Sequence, residues 1–317
     1  MKNRTLFGYT KQLIILSILA LGLASCKKDN GPGKGTSTAI VDYHQTAATK
    51  FIDVAGSSYA YRVLGDKDGI PLVMLSALGG SMDDWDPAVT NGLAQKYKVI
   101  IFDNQGVGSS KGTTPDNIAA MAADAANLIK ALGYTKVNIM GFSMGSFISQ
   151  QLVLTHPELV NKIILTGTGP KGSEGLSNLP NLLAAAAGLT PEESLLRFAF
   201  TSSAKSVEAG KESYARTQKR TTDRDLPVNE QSGGAQLTAV LGWAQPYPNA
   251  FNELKTIKQP VLIAQGQQDI PVPVINAVNL YKNIPNADLI TYPDAGHAAI
   301  FQYHDEFVQE AINFLAK

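Results

Sequence analysis

Val137-Asn138-Ile139-Met140-Gly141-Phe142-Ser143-Met144-Gly145-Ser146 holds the pattern on which the rest of the chain depends. An apolar run, Val137 to Met140, leads into Gly141-Phe142-Ser143-Met144-Gly145, and a helical pattern through Phe147, Ile148, Gln151, Leu152 and Leu154 leaves it. This is a sharp strand-to-helix turn with a serine at its apex. Such a turn needs residues without bulky side chains two before and two after the serine, and Gly141 and Gly145 supply them. The same G-x-S-x-G spacing recurs at Gly108-Ser109-Ser110-Lys111-Gly112. There it follows a glycine-rich turn and leads into Thr113-Thr114-Pro115, with neither strand nor helix beside it. Context therefore selects Ser143 over Ser110.

Outward from this turn, apolar strands alternate with helices. Ser57–Leu64 and Ile70–Ala77 read as strands, then Val99–Phe102, Lys162–Leu165, Val261–Ala264 and Asp288–Tyr292. Thr114-Pro115-Asp116 reads as a helix start, with Thr114 as N-cap and Gly133 closing the helix. Further helices are expected from about Pro273 to Asn283 and from about Tyr303 to Leu315. The alternation predicts an α/β fold, a predominantly parallel sheet with helices on both faces. Residues 40–168 and 255–317 read as the two parts of this core, and residues 169–254, without a buried strand, as an inserted helical cap.

Composition sets the outer limits. With 317 residues, 44% apolar and 17% charged, the chain can bury a large core. Lysine plus arginine (27) balances aspartate plus glutamate (27), so nothing in the overall charge points to nucleic acid or an acidic partner. Lys2, Arg4 and Lys11 precede an apolar run from Leu13 to Ala24, too short to span a bilayer comfortably, so residues 1–25 read as a signal peptide. Leu23-Ala24-Ser25-Cys26 resembles the lipobox of bacterial lipoproteins. That resemblance implies lipid on Cys26, the single cysteine, and export to a bacterial membrane, periplasmic or outer surface. Residues 26–39 have the composition of a flexible tether. Nothing in the sequence sets an oligomeric state.

A serine hydroxyl is a weak nucleophile and needs a base, itself oriented by a third group. The chain has four histidines. His44 precedes the first confident strand, His156 closes the helix after the serine, and His304 begins the last helix. His297, in Asp294-Ala295-Gly296-His297-Ala298, instead follows a strand, at the sheet edge where catalytic groups collect in open α/β sheets. Asp269, in Gly266-Gln267-Gln268-Asp269, ends the preceding strand at the same edge and is the preferred acid, with Asp294 as its competitor. The order Ser143, Asp269, His297 matches nucleophile, acid and base in strand-turn-helix serine hydrolases.

Together with Asp103-Asn104-Gln105-Gly106-Val107-Gly108-Ser109-Ser110, these motifs resemble those of the α/β-hydrolase fold family over residues 50–317. The resemblance implies a Ser143–His297–Asp269 triad and an oxyanion hole built from the backbone N–H groups of Met144 and Leu78. Two departures stand out: Ser76-Ala77 replaces the usual His-Gly before the oxyanion loop, and Gln105 stands where arginine is common. A serine at the elbow argues against the dehalogenase and epoxide-hydrolase branches, which place an aspartate there.

The expected activity is hydrolysis of a small or medium, apolar carboxylic ester through an acyl-enzyme, with no metal or organic cofactor. Thioester, lactone, amide, perhydrolase or carbon–carbon bond chemistry are alternatives, as is a non-catalytic binding lipoprotein on the same fold. Leu182, Leu183, Leu195, Phe198 and Phe200 are candidates for an acyl pocket or for packing within the cap. Trp85 and Trp243 are candidates for its wall or for the core.

Overall fold

The computed structural model describes residues 41–317. Residues 1–40, with the signal segment, Cys26 and the tether, lie outside the described residues. Residues 41–317 fall within one compact unit.

Eight strands make one sheet: β1 (Lys50–Val54), β2 (Ser57–Leu64), β3 (Leu72–Leu75), β4 (Val99–Phe102), β5 (Val137–Phe142), β6 (Val160–Thr166), β7 (Val261–Gly266) and β8 (Ala287–Tyr292). Their spatial order is β1-β2-β4-β3-β5-β6-β7-β8. β1, β2 and β4 pair antiparallel and every other neighbour is parallel. Alternate residues of each parallel strand enter opposite apolar layers. In β3, Val73 and Leu75 join one layer, while Leu72 and Met74 join the other. Such strands are buried on both faces and read as continuous apolar runs.

The helices are α1 (Tyr43–Thr46), α2 (Pro87–Ala94), α3 (Ile118–Ala131), α4 (Met144–Thr155), α5 (Leu179–Ala185), α6 (Pro191–Ala199), α7 (Ala204–Thr217), α8 (Glu230–Trp243), α9 (Ala250–Leu254), α10 (Ile275–Asn283), α11 (Ala299–Gln302) and α12 (His304–Ala316). Between β6 and β7 the chain contributes only helices and loops, α5 to α9.

Several expected boundaries shift. β3 stops at Leu75, so Ser76 and Ala77 belong to the loop. α3 starts at Ile118 with Asn117 as its N-cap, accepting from the N–H of Ala120. Thr114 is not the cap, because its hydroxyl donates to the carbonyl of Gln105 and meets Ser232 Oγ on α8. β1 was missed because four of its five residues are wholly or partly exposed and carry no apolar run. It is created by the hairpin Ala55-Gly56, where both residues have positive φ, 49° and 86°. The last helix, α12, matches its expected limits to within a residue at each end, and the short α11 precedes it.

Candidate active site

The loops after β3, β5, β7 and β8 converge at the carboxyl edge of the sheet. β5 ends at Phe142 and α4 begins at Met144, leaving Ser143 alone at the apex with φ 54° and ψ −118°. A non-glycine residue held there costs about 1–3 kcal/mol and persists only where its surroundings over-determine it. Here they do. A Cβ at Gly145 would collide with the carbonyls of Leu75 and Ser76, and one at Gly141 would collide with the backbone of Gly145 and Ser146. Behind the turn, Ser143 N–H donates to the carbonyl of Thr166 (2.9 Å). Ser146 Oγ donates to the Gly141 carbonyl (2.6 Å) and accepts from Thr166 N–H (3.0 Å). Ser146 and Thr166 escaped sequence reasoning because their partners are residues on adjacent elements.

His297 Nδ1 lies 2.8 Å from Asp269 Oδ2, and both side chains are buried. Asp269 also accepts from Gln265 Nε2 (2.7 Å) and, through Oδ1, from Val272 N–H (2.8 Å). Three donors thus fix the plane of the carboxylate. Gln265 is itself held by the N–H of Thr168 and the carbonyl of Val272. The imidazole packs beside Phe142, 5.2 Å between ring centroids, and edge-on to Phe198 at 5.8 Å. The neighbouring Ala298 N–H donates to the carbonyl of Ala199 at the end of α6.

Ser143 and His297 open into the same cavity of about 270 Å³. Among the described residues no hydrogen bond joins them; contacts of this kind commonly tighten only with substrate in place. Leu78 lies on the cavity wall. Among the described residues no acceptor takes the N–H of Leu78 or of Met144. The loop is braced from α8, where Gln236 Oε1 accepts the N–H of Gly79 at 2.7 Å. Ser76 anchors the facing wall, its Oγ accepting the indole N–H of Trp85 at 3.0 Å. Gln105 ties β2 to its loop, accepting from Tyr59 and donating to Ser57.

The other candidates fall elsewhere. Asp294 is taken by the hydroxyls of Thr201 and Ser203 (2.7 and 2.6 Å), which hold its carboxyl below the usual range. Ser110 is buried, accepting from Ala60 N–H and donating to the carbonyl of Asp103. His156 caps the end of α4 and His304 starts α12. His44 is buried against Thr90, and burial pushes it down to about 4. Leu183, Leu195, Phe198 and Trp85 line the cavity, whereas Leu182 and Phe200 do not. Trp243 also turns away, stacking on Phe147 at 5.4 Å and donating to the carbonyl of Gly169.

A charged network clamps the loop between β3 and α2. Arg62 pairs with Asp83 (2.6 Å), and Arg216 binds Asp86 through two bonds of 2.7 Å. Asp103 accepts from Met82 and Ser109 N–H, and its carboxyl is raised by burial and then by the nearby Asp225. Among the described residues no three His, Cys, Asp or Glu side chains converge as a metal site.

A profile of the alpha/beta hydrolase fold matches residues 70–302, and the chain belongs to that family. An alpha/beta hydrolase fold protein from Chitinophaga pinensis is 43% identical, with a TM-score of 0.83 over 86% of this chain and 98% of that one. BpoC of Mycobacterium tuberculosis, whose name assigns it to the non-heme bromoperoxidases, is 26% identical over 78% of this chain and 94% of its own. The 2-hydroxy-6-oxo-6-phenylhexa-2,4-dienoate hydrolase of Burkholderia cepacia is 25% identical over 87% of this chain and 99% of its own length. Hydrolases thus stand among the relatives across the whole core.

Proposed function

We propose that the protein is a serine hydrolase that cleaves a small or medium, largely apolar carboxylic ester through an acyl-enzyme. The observation that carries this reading is that Ser143, at the strained apex, shares one cavity with His297, whose far ring nitrogen is engaged by the buried Asp269. Facing a carboxylate, Nδ1 carries the proton and leaves Nε2 free to act as base. Ser143 Oγ attacks the ester carbonyl as His297 takes its proton, and the N–H groups of Leu78 and Met144 receive the oxyanion. His297 then protonates the departing alkoxide, and water, activated by the same imidazole, releases the acid and restores Ser143. A cavity of about 270 Å³ is just below the roughly 300–1,000 Å³ of drug-sized ligand sites, which favours a modest acyl group.

The test is a p-nitrophenyl ester series of graded acyl length. The reading expects a maximum at short or medium chains and a loss of kcat of about 10³-fold or more in Ser143→Ala. Equal turnover by that variant contradicts it, and a flat chain-length profile contradicts the apolar pocket. Carbon–carbon bond hydrolysis is the second reading, favoured by the likeness to the dienoate hydrolase along nearly its whole length.

We also propose attachment to a bacterial membrane through lipid on Cys26, supported by the sequence Leu23-Ala24-Ser25-Cys26 behind a basic and apolar leader. Metabolic labelling with palmitate tests this. Incorporation should vanish in Cys26→Ser, and equal labelling of both proteins contradicts the anchor.

A further inference from the structure

Three aspartates, Asp83, Asp84 and Asp86, follow one another closely between β3 and α2, and they meet different fates. Asp83 is paired with Arg62 and Asp86 with Arg216. Asp84, between them, has no cation partner among the described residues. Its Oδ2 accepts from the N–H and Oγ of Ser81 (2.7 and 3.0 Å) and closes a one-turn helix, Met82–Asp84. Its Oδ1 takes no hydrogen bond from any described residue. The side chain is exposed, and it lines the cavity that holds Ser143 and His297. The protein around the cavity desolvates its carboxyl and pushes it up, with the Ser81 bonds and Arg224 opposing the rise and Asp83 adding to it.

Resting on the ester-hydrolase reading of this site, we propose that Asp84 sets the charge of the substrate. It receives an ammonium, or another strong hydrogen-bond donor, carried by the ester, and it rejects anionic substrates. The remaining walls supply no competing charge. Leu78, Trp85, Leu183, Leu195 and Phe198 are apolar or nearly so, and among the described residues no lysine or arginine lines the cavity. A carboxylate oxygen that accepts no protein hydrogen bond and faces such walls offers a cationic donor a charge-assisted bond. A substrate carboxylate in the same space would meet a like charge and no counter-ion. The dienoate hydrolase relative acts on a molecule whose name contains a carboxylate. The cavity here is unsuited to that charge, so the inference also separates the two readings of the reaction.

Calorimetric titration with hexylammonium, 1-hexanol and hexanoate at pH 7.5 tests this without requiring turnover. The wild-type protein should bind hexylammonium about tenfold more tightly than hexanol, with hexanoate weakest. Asp84→Asn, which keeps an acceptor for Ser81, should bring hexylammonium to within about twofold of hexanol, and Asp84→Glu should keep the ammonium preference. The inference is overturned if hexylammonium fails to bind, if hexanoate binds wild type as tightly as the ammonium, or if Asp84→Asn keeps the full preference. The wild-type ranking stands by itself should either variant misfold. Failure of the hydrolase reading would appear separately, as intact ligand ranking with no ester turnover.

Discussion

The indole N–H of Trp85 donates to Ser76 Oγ across the loop after β3, 3.0 Å apart and both side chains buried. The departure from His-Gly at Ser76-Ala77 thereby becomes a bond that fixes one cavity wall. Trp85 also packs against Phe142 and Phe301, each at 6.3 Å between centroids. Ser76→Ala leaves a buried donor unsatisfied. It should lower unfolding free energy by about 1–3 kcal/mol, measured by denaturant titration, and a change below a few tenths would assign Trp85's position to packing alone.

Asp269 binds three donors, of which His297 is one. Asp269→Asn places an amide where an acceptor for Nδ1–H is needed and favours the wrong tautomer. Ester kcat/KM should fall by about 10³–10⁴-fold with the fold intact by circular dichroism. A loss under tenfold would remove Asp269 from the acid's place.

At Gly145 even a methyl group meets the backbone of the β3 loop. Backbone cannot step aside as a side chain can. Gly145→Ala should therefore cost more than about 3 kcal/mol or abolish soluble expression, and an unfolding midpoint equal to wild type would contradict the packing described.

Burial lowers His44 from its ordinary value near 6.5 to about 4. The native state therefore holds it neutral where the unfolded chain protonates. Its contribution is fully present above about pH 6.5 and declines as pH falls toward 4, by up to about 3 kcal/mol in all. Unfolding free energy measured between pH 8 and 4.5 should fall less steeply in His44→Asn than in wild type, and parallel curves would contradict the assignment.

The sheet and the elbow were legible because their signals are local. An apolar run, two glycines and a helical period sit within one stretch, and β4 (Val99–Phe102) matches its expected limits residue for residue. His297 and Asp269 were legible by position at strand ends. What escaped depends on partners far along the chain. Asn117 won the α3 cap because Thr114 was claimed by Gln105 and Ser232, the latter 118 residues away. Trp243 looked equivalent to Trp85, yet Phe147 draws it to the opposite apolar layer. Nothing in the sequence separates Asp84 from Asp83 and Asp86, and it is the arginines paired with those two that set it apart.

The most direct measurement of the central claim is labelling with a fluorophosphonate probe, read by intact and peptide mass. Wild type should gain one phosphonyl group on Ser143, and Ser143→Ala should gain none. No labelling of the wild type, or equal labelling of both proteins, would contradict Ser143 as the activated nucleophile.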